Sequence, residues 1–191
     1  MSGGSGNLHR QHFASIDSTN AAAAAWANRH PQGSAVLTAT TQTAGRGQWG
    51  RDWQSPEGGA WFSLVLRRNQ PDELISLEAA KAIIVALSRW VPADRLSLKP
   101  PNDVLLDERK VAGILCEQAV RAESSEAASE TPVTLIVGVG INVNVDVAQL
   151  GPDLRRPAIA LRDVVGQDVS INEVIDASVE ALIARLDPDT A

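Results

Sequence analysis

The run QTAGRGQWGRDWQSPEGG at 42–59 constrains this chain most, because it puts five glycines, two arginines and two tryptophans between two apolar, β-rich stretches. Residues 33–40 (GSAVLTAT) and 60–67 (AWFSLVLR) carry the branched, alternating pattern of strands. Nothing between them can be helical, with Pro56 and Gly58 so close behind Arg51, and nothing there is apolar enough for a core. The segment therefore reads as a loop joining two strands. Gly45, Gly47 and Gly50 let backbone N–H groups turn toward an anion, while Arg46 and Arg51 supply permanently charged, planar donors. The same three glycines satisfy the dinucleotide-binding spacing. That fingerprint needs a helix leaving the loop to receive the pyrophosphate, and no helix can start here.

Around this loop the chain alternates elements at short range. A strand at 12–16 leads into an Ala-rich helix opened by DSTN (17–20), which is punctuated by Pro31 and Gly33. Residues 74–90 carry apolar positions at helical spacing, with Leu77, Ala80, Ile84 and Leu87 on one face. Strands follow at 96–98, 104–106, 111–120 and 133–142, with a hairpin turn at 107–109. The polar stretch 121–132 reads as a solvated loop, and Ser170 with Glu173 forms a capping box ahead of a last helix at 174–186. The expected fold is α+β: a mixed, largely antiparallel sheet with helices packed on one face. Residues 1–10 are expected as a flexible tail, 11–187 as one domain and 188–191 as a C-terminal tail.

Composition narrows the function. With 191 residues, 44% hydrophobic, the chain can build one substantial core, and no apolar run reaches the roughly 20 residues of a membrane span. A single cysteine, Cys116, in an apolar flank reads as a packed thiol and fits a cytoplasmic protein. Three histidines without partners at ligand spacing give no structural zinc site. The net charge of −6 lacks the broad basic field of a nucleic-acid binder. Positive charge is instead local, at Arg46, Arg51, Lys99, Arg109 and Lys110, which suits a small phosphorylated ligand. No nucleophile stands with a paired base; the inventory is cations, amides, hydroxyls and an acid, apt for charge stabilisation around a phosphate. Each cluster also has a plainer reading as helix cap, loop, diproline turn or exposed hairpin lysine.

Taken in order, DSTN (17–20), QTAGRGQWGRDWQSPEGG (42–59), KPPND (99–103), RKVAGILCE (109–117) and GVGINVN (138–144) resemble the successive signatures of biotin protein ligases. The resemblance covers most of 12–186. It implies an enzyme that joins biotin and ATP, with Mg²⁺, into biotinyl-5′-AMP and then transfers the biotinyl group to a lysine of a biotin carboxyl carrier protein. It implies that Ser18, Thr19, Asn20 and Gln42 line the biotin site, together with Gly45, Arg46, Gly47, Gln48 and Gly113. It further implies that Arg46 pairs with the carboxylate or adenylate phosphate, and that Lys110 bridges the attacking carboxylate and the α-phosphate. Arg51, Trp53, Asn102 and Asn142 fall on the nucleotide side, and Asp103 becomes a Mg²⁺ ligand or orients the acceptor lysine. For Trp53, stacking on the nucleotide and a latch closing the loop remain two readings; for Gly138 and Gly140, pocket floor and sheet packing. Two positions depart from the family pattern: Pro100 replaces a tryptophan, and Gln48 replaces an arginine. The expectation is a catalytic domain lacking the family's N-terminal DNA-binding domain and usual C-terminal small β-barrel, with no DNA partner and with sheet edges that could support a homodimer. The alternatives are a noncatalytic biotin or biotinyl-adenylate binding module, and a lipoate or octanoate attachment enzyme of the same superfamily. A single-strand nucleic-acid binder ranks last.

Overall fold

The computed structural model describes residues 8–120, 133–150 and 157–187. Seven strands form one sheet: β1 (His9–Ile16), β2 (Ala35–Gln42), β3 (Ala60–Arg68), β4 (Leu96–Lys99), β5 (Asp103–Leu106), β6 (Arg109–Val120) and β7 (Val133–Ile141), in the spatial order β1-β2-β3-β7-β6-β5-β4. Only β1 and β2 run parallel, and the helix α1 (Thr19–Arg29) carries the chain between them. All other pairs are antiparallel. β1 starts at His9, inside the stretch expected as tail, and the solvated loop expected at 121–132 lies outside the described residues.

Alternation along the central strands builds two different faces. Phe62, Leu64 and Leu66 of β3 face the main core with Leu135, Val137, Val139 and Ile141 of β7. That core is closed by α2 (Ile75–Leu87) and α4 (Ile171–Leu186), each fully buried Val, Leu or Ile contributing roughly 1.5–3 kcal/mol of transfer free energy. The intervening residues Trp61, Ser63 and Val65 face the other way. There α1 seats Ala23, Trp26 and Ala27 against Leu37, Val65 and Ile136. The helices therefore cover both faces, not one as expected: the N-terminal half of the sheet is apolar on each side, so α1 packs opposite α2 and α4.

The Ser170 cap forms as its sequence predicts, with Ser170 Oγ accepting from the Glu173 N–H at 3.4 Å. Asp107 and Glu108 turn the β5–β6 hairpin with φ of 49° and 60°, the left-handed pair that a two-residue hairpin requires. A short helix α3 (Leu161–Val165) was not visible in the sequence; its five residues are too few to show a period.

Candidate active site

The sheet face that carries α1 also carries the site. Cross-strand partners share a face, so the register aligns Trp61, Gly140, Gly113 and Asp103 in one row across β3, β7, β6 and β5. The next row holds Ser63, Gly138 and Leu115. Three glycines, Gly113, Gly138 and Gly140, thus leave a trough in the sheet surface. It opens into a cavity of about 950 Å³ that collects Ser18, Thr19, Asn20, Gln42 and Lys99 with residues from every other cluster.

The Gly/Arg run folds as a hairpin rather than an open loop. Gln42 pairs with Ser55, Trp53 N–H donates to Gly45 C=O at 2.9 Å, Arg46 pairs with Asp52, and Gly47 N–H donates to Arg51 C=O at 2.7 Å. Its base is tied to the first motif, since Thr43 Oγ1 donates to Asp17 Oδ1 at 2.9 Å. The turn at Gln48–Gly50 exposes Trp49 at the tip with φ of 63°. Arg46, Gly47, Gln48 and Arg51 all line the cavity, whereas Gly45 does not. Gly45 is buried, and a Cβ there would meet the Trp53 carbonyl oxygen at 2.4 Å, so its role is to let the two arms of the hairpin close.

Trp53 returns from this hairpin onto the glycine trough. A Cβ on Gly140 or Gly113 would lie 2.5 Å or 2.8 Å from its indole, and the ring meets Trp61 edge-on at 6.3 Å between centroids. Its Nε1–H is buried and has no partner among the described residues, which costs on the order of 1–3 kcal/mol. Lys110 Nζ lies 4.8 Å from the same ring and 2.6 Å from Asp103 Oδ1.

The position of Lys110 depends on a bulge. Val104 pairs with Ala112 but Leu105 pairs with Lys110, so Val111 is the extra residue. Val111 and Ala112 both enter the core, and Lys110 lands on the face of Gly113, where strict alternation would have put it on the opposite side. The expected exposed hairpin lysine is in fact about a quarter exposed and ion-paired. Arg109, one residue earlier, is exposed and does not reach the cavity. Asn102 is held by β6, its Nδ2 donating to Ile114 C=O at 2.7 Å. Asn142 is buried and spends its amide donors on the carbonyls of Lys110 and Ile159, at 3.3 Å and 3.2 Å, so it clamps the backbone at the cavity edge.

Beside the row that carries Trp53, a polar relay crosses four elements. Asn20 Nδ2 donates to Glu117 Oε2 at 2.7 Å, and Ser63 Oγ lies 2.6 Å from Asn20 Oδ1 and 2.8 Å from Thr19 Oγ1. Thr19 N–H and Oγ1 donate to Gln42 Oε1 at 2.8 Å and 3.1 Å. Gln42 Nε2 donates to Ser55 Oγ at 2.7 Å, and Ser55 donates to the Trp53 carbonyl at 3.2 Å. Ser18 is the N-cap of α1, yet its side chain makes no cap bond and faces the cavity with the relay. Ser63, Ser55, Glu117 and Trp61 were missed in the sequence. A lone serine inside the apolar run AWFSLVLR was the available signal for Ser63.

Among the described residues no three His, Cys, Asp or Glu side chains gather as a metal-binding group, and no helix is long and apolar enough to cross a membrane.

The profile of the Biotin/lipoate A/B protein ligase family matches residues 12–142. The bifunctional ligase/repressor BirA of Bacillus subtilis is 35% identical over 78% of this chain and 44% of its own length. The biotin–[acetyl-CoA-carboxylase] ligase of Paracoccus denitrificans is 38% identical over 86% of the chain and 67% of its own. The chain spans about half the length of the Bacillus relatives, 44% and 48%. Among solved structures, the biotin protein ligase from Aquifex aeolicus in complex with biotin and ATP superposes with a TM-score of 0.69 at 29% identity, covering 95% of this chain and 72% of that one. With the five motifs lining one cavity and the family profile spanning most of the chain, this protein belongs to the biotin/lipoate A/B protein ligase family.

Proposed function

We propose that this protein activates biotin with ATP as biotinyl-5′-AMP and transfers the biotinyl group to a lysine of a biotin carrier protein. The observation that carries this reading is what one cavity collects: the uncharged donors and acceptors of Ser18, Thr19, Asn20 and Gln42 together with the cations Arg46, Arg51, Lys99 and Lys110, the last ion-paired to Asp103. Thr19 and Gln42 offer an acceptor and a donor side by side, which complements the N–H and C=O of a cyclic urea. A dithiolane ring has no groups to meet them, which favours biotin over lipoate.

In the first step a carboxylate oxygen of biotin attacks the α-phosphorus of ATP, and the bond from that phosphorus to the bridging oxygen of pyrophosphate breaks. Two anions must meet for this. Lys110, set between them, offsets their repulsion, and Arg46 and Arg51 hold phosphate oxygens from the hairpin. Neither arginine has an ion-pair partner among the described residues, so both are available to an incoming anion. Magnesium enters with the nucleotide as part of that substrate. Asp103 is the one carboxylate of the 99–103 motif lining the cavity, and one carboxylate plus phosphate oxygens is a common Mg²⁺ ligand set. In the second step the acceptor amine attacks the biotinyl carbonyl and AMP leaves. The hairpin, closing one side of the cavity, shields the mixed anhydride from water.

The test is pyrophosphate release by the purified protein with MgATP and either biotin or lipoate, followed by transfer to a biotin carrier domain. Biotin-dependent release and labelling are expected. Biotin binding without pyrophosphate release would leave a binding module, and lipoate-dependent release would reassign the substrate.

A further inference from the structure

We propose that Ser63 and Glu117, neither of which lines the cavity, are positioning residues that set which ligand atoms the site can accept. The proposal rests on the biotin reading above and deepens it. Its basis is the direction of each hydrogen bond in the relay, which two groups of unambiguous polarity fix from opposite ends.

At one end stand acceptors only: the Glu117 carboxylate, 2.7 Å from Asn20 Nδ2, and the Leu115 carbonyl, 3.4 Å away. They hold the Asn20 amide with its NH₂ toward β6 and its oxygen toward Ser63. Asn20 Oδ1 has no proton, so at 2.6 Å the contact requires the Ser63 proton. Thr19 Oγ1 then has two oxygens beside it, Ser63 Oγ at 2.8 Å and Gln42 Oε1 at 3.1 Å. Its single proton goes to one of these, and a ligand meets only its lone pairs. At the other end the Thr19 backbone N–H, which can only donate, holds Gln42 Oε1 at 2.8 Å. The Gln42 NH₂ must therefore face Ser55 and the cavity, with one N–H used by Ser55 and one left for a ligand.

The site consequently presents an acceptor at Thr19 and a donor at Gln42, and a ligand must answer with a donor beside an acceptor. Ser63 is fully buried, and Thr19 and Asn20 are nearly so, so a partner lost at Ser63 is not readily replaced by water. Without the Ser63 hydroxyl, Asn20 Oδ1 loses its donor, and Thr19 Oγ1 keeps only Gln42 Oε1, at 3.1 Å, to hold its proton inward. The code at the ligand then becomes ambiguous.

Isothermal titration with biotin and with 2-iminobiotin, which replaces the ureido acceptor by a donor, reads this directly. Ser63→Ala should weaken biotin by on the order of tenfold while narrowing the preference for biotin over 2-iminobiotin, with KM for ATP unchanged. Glu117→Ala should move both quantities the same way by a smaller factor, because Glu117 is at the exposed end of the relay. Glu117→Gln, whose amide oxygen still accepts from Asn20, should restore wild-type behaviour. The surface pair Glu117→Ala and Glu117→Gln keeps the test valid if the buried Ser63 variant fails to fold. Equal loss of affinity for both ligands in Ser63→Ala or Glu117→Ala, or no loss for either, overturns the positioning role. Wild-type protein that binds neither ligand defeats the biotin reading itself, and is seen before any variant is made.

Discussion

Lys110 Nζ and Asp103 Oδ1 stand 2.6 Å apart because the bulge at Val111 turns the lysine onto the face that Asp103 shares with Gly113. The carboxylate holds the ammonium over the cavity without burying it, since both side chains keep a fifth to a quarter of their surface. Replacing Lys110 by Ala should lower the rate of adenylate formation by about 10²–10³-fold, the scale seen when one charge-stabilising donor is removed. Biotin affinity should fall far less. Near-normal pyrophosphate release by the variant would remove Lys110 from the chemistry.

Gln48 lines the cavity in the turn between Arg46 and Arg51, where an arginine would add a third cation to the same rim. Gln48→Arg should slow release of the adenylate by roughly tenfold, the worth of one charge-assisted hydrogen bond. Single-turnover release rates equal to wild type would count against a phosphate contact at this position.

Gly138 lies directly beneath Asn20. A Cβ there would come 2.1 Å from Asn20 Oδ1, an overlap that only a shift of α1 or loss of the Ser63 bond can relieve. Gly138→Ala should destabilise the fold by about 1–3 kcal/mol and weaken biotin binding, checked by urea denaturation and titration. A variant with unchanged stability and affinity would show that the relay tolerates displacement.

Arg67 closes the far end of α1. Its guanidinium donates to the carbonyls of Gly33 at 3.0 Å, Ala27 at 3.1 Å and His30 at 2.7 Å, and to Thr134 Oγ1. These oxygens include ones the helix leaves without an internal partner. Arg67→Ala should cost about 2–4 kcal/mol, and Arg67→Lys should recover only part, since an ammonium lacks the fork. Chemical denaturation distinguishes the two.

Cys116 packs against the main core from β6, and burial pushes its thiol from 9.0 up to about 12, against a smaller opposing effect of a Ser76 hydrogen bond. A raised folded value means that the unfolded chain loses this proton first. Stability from this group is therefore whole below about pH 9 and lost progressively as pH rises toward about 12. Cys116→Ala should flatten the alkaline decline in Tm, and native protein at pH 8 should alkylate far more slowly than unfolded protein. Equal alkylation rates would contradict the enclosed thiol.

Much of the fold was legible in the sequence because its signals are local. Period-two alternation marked β3, helical spacing marked α2, and Ser170 marked the start of α4. The loop at 42–59 was legible for the same reason, as were the cations in it. Its closure into a hairpin was not, because Gly45 opposite Trp53 is a pairing between residues eight apart, with no sequence pattern to announce it.

The sequence by itself determined which residues bear charge, which stretches must be strands, and that a polar, glycine-rich segment must lie outside the core. Those follow from composition and from periods of two and 3.6 residues along the chain. Only the tertiary structure decided which of these residues meet. The bulge reverses the face of Lys110, the β3–β7–β6 register aligns Gly140 with Gly113 beneath Trp53, and Ser63 joins Asn20 to Thr19 from 43 and 44 residues away. The last two depend on strand and helix contacts between distant segments, and the first on the register of the β5–β6 hairpin; the free energy that fixes all three comes from the whole sheet closing over its core.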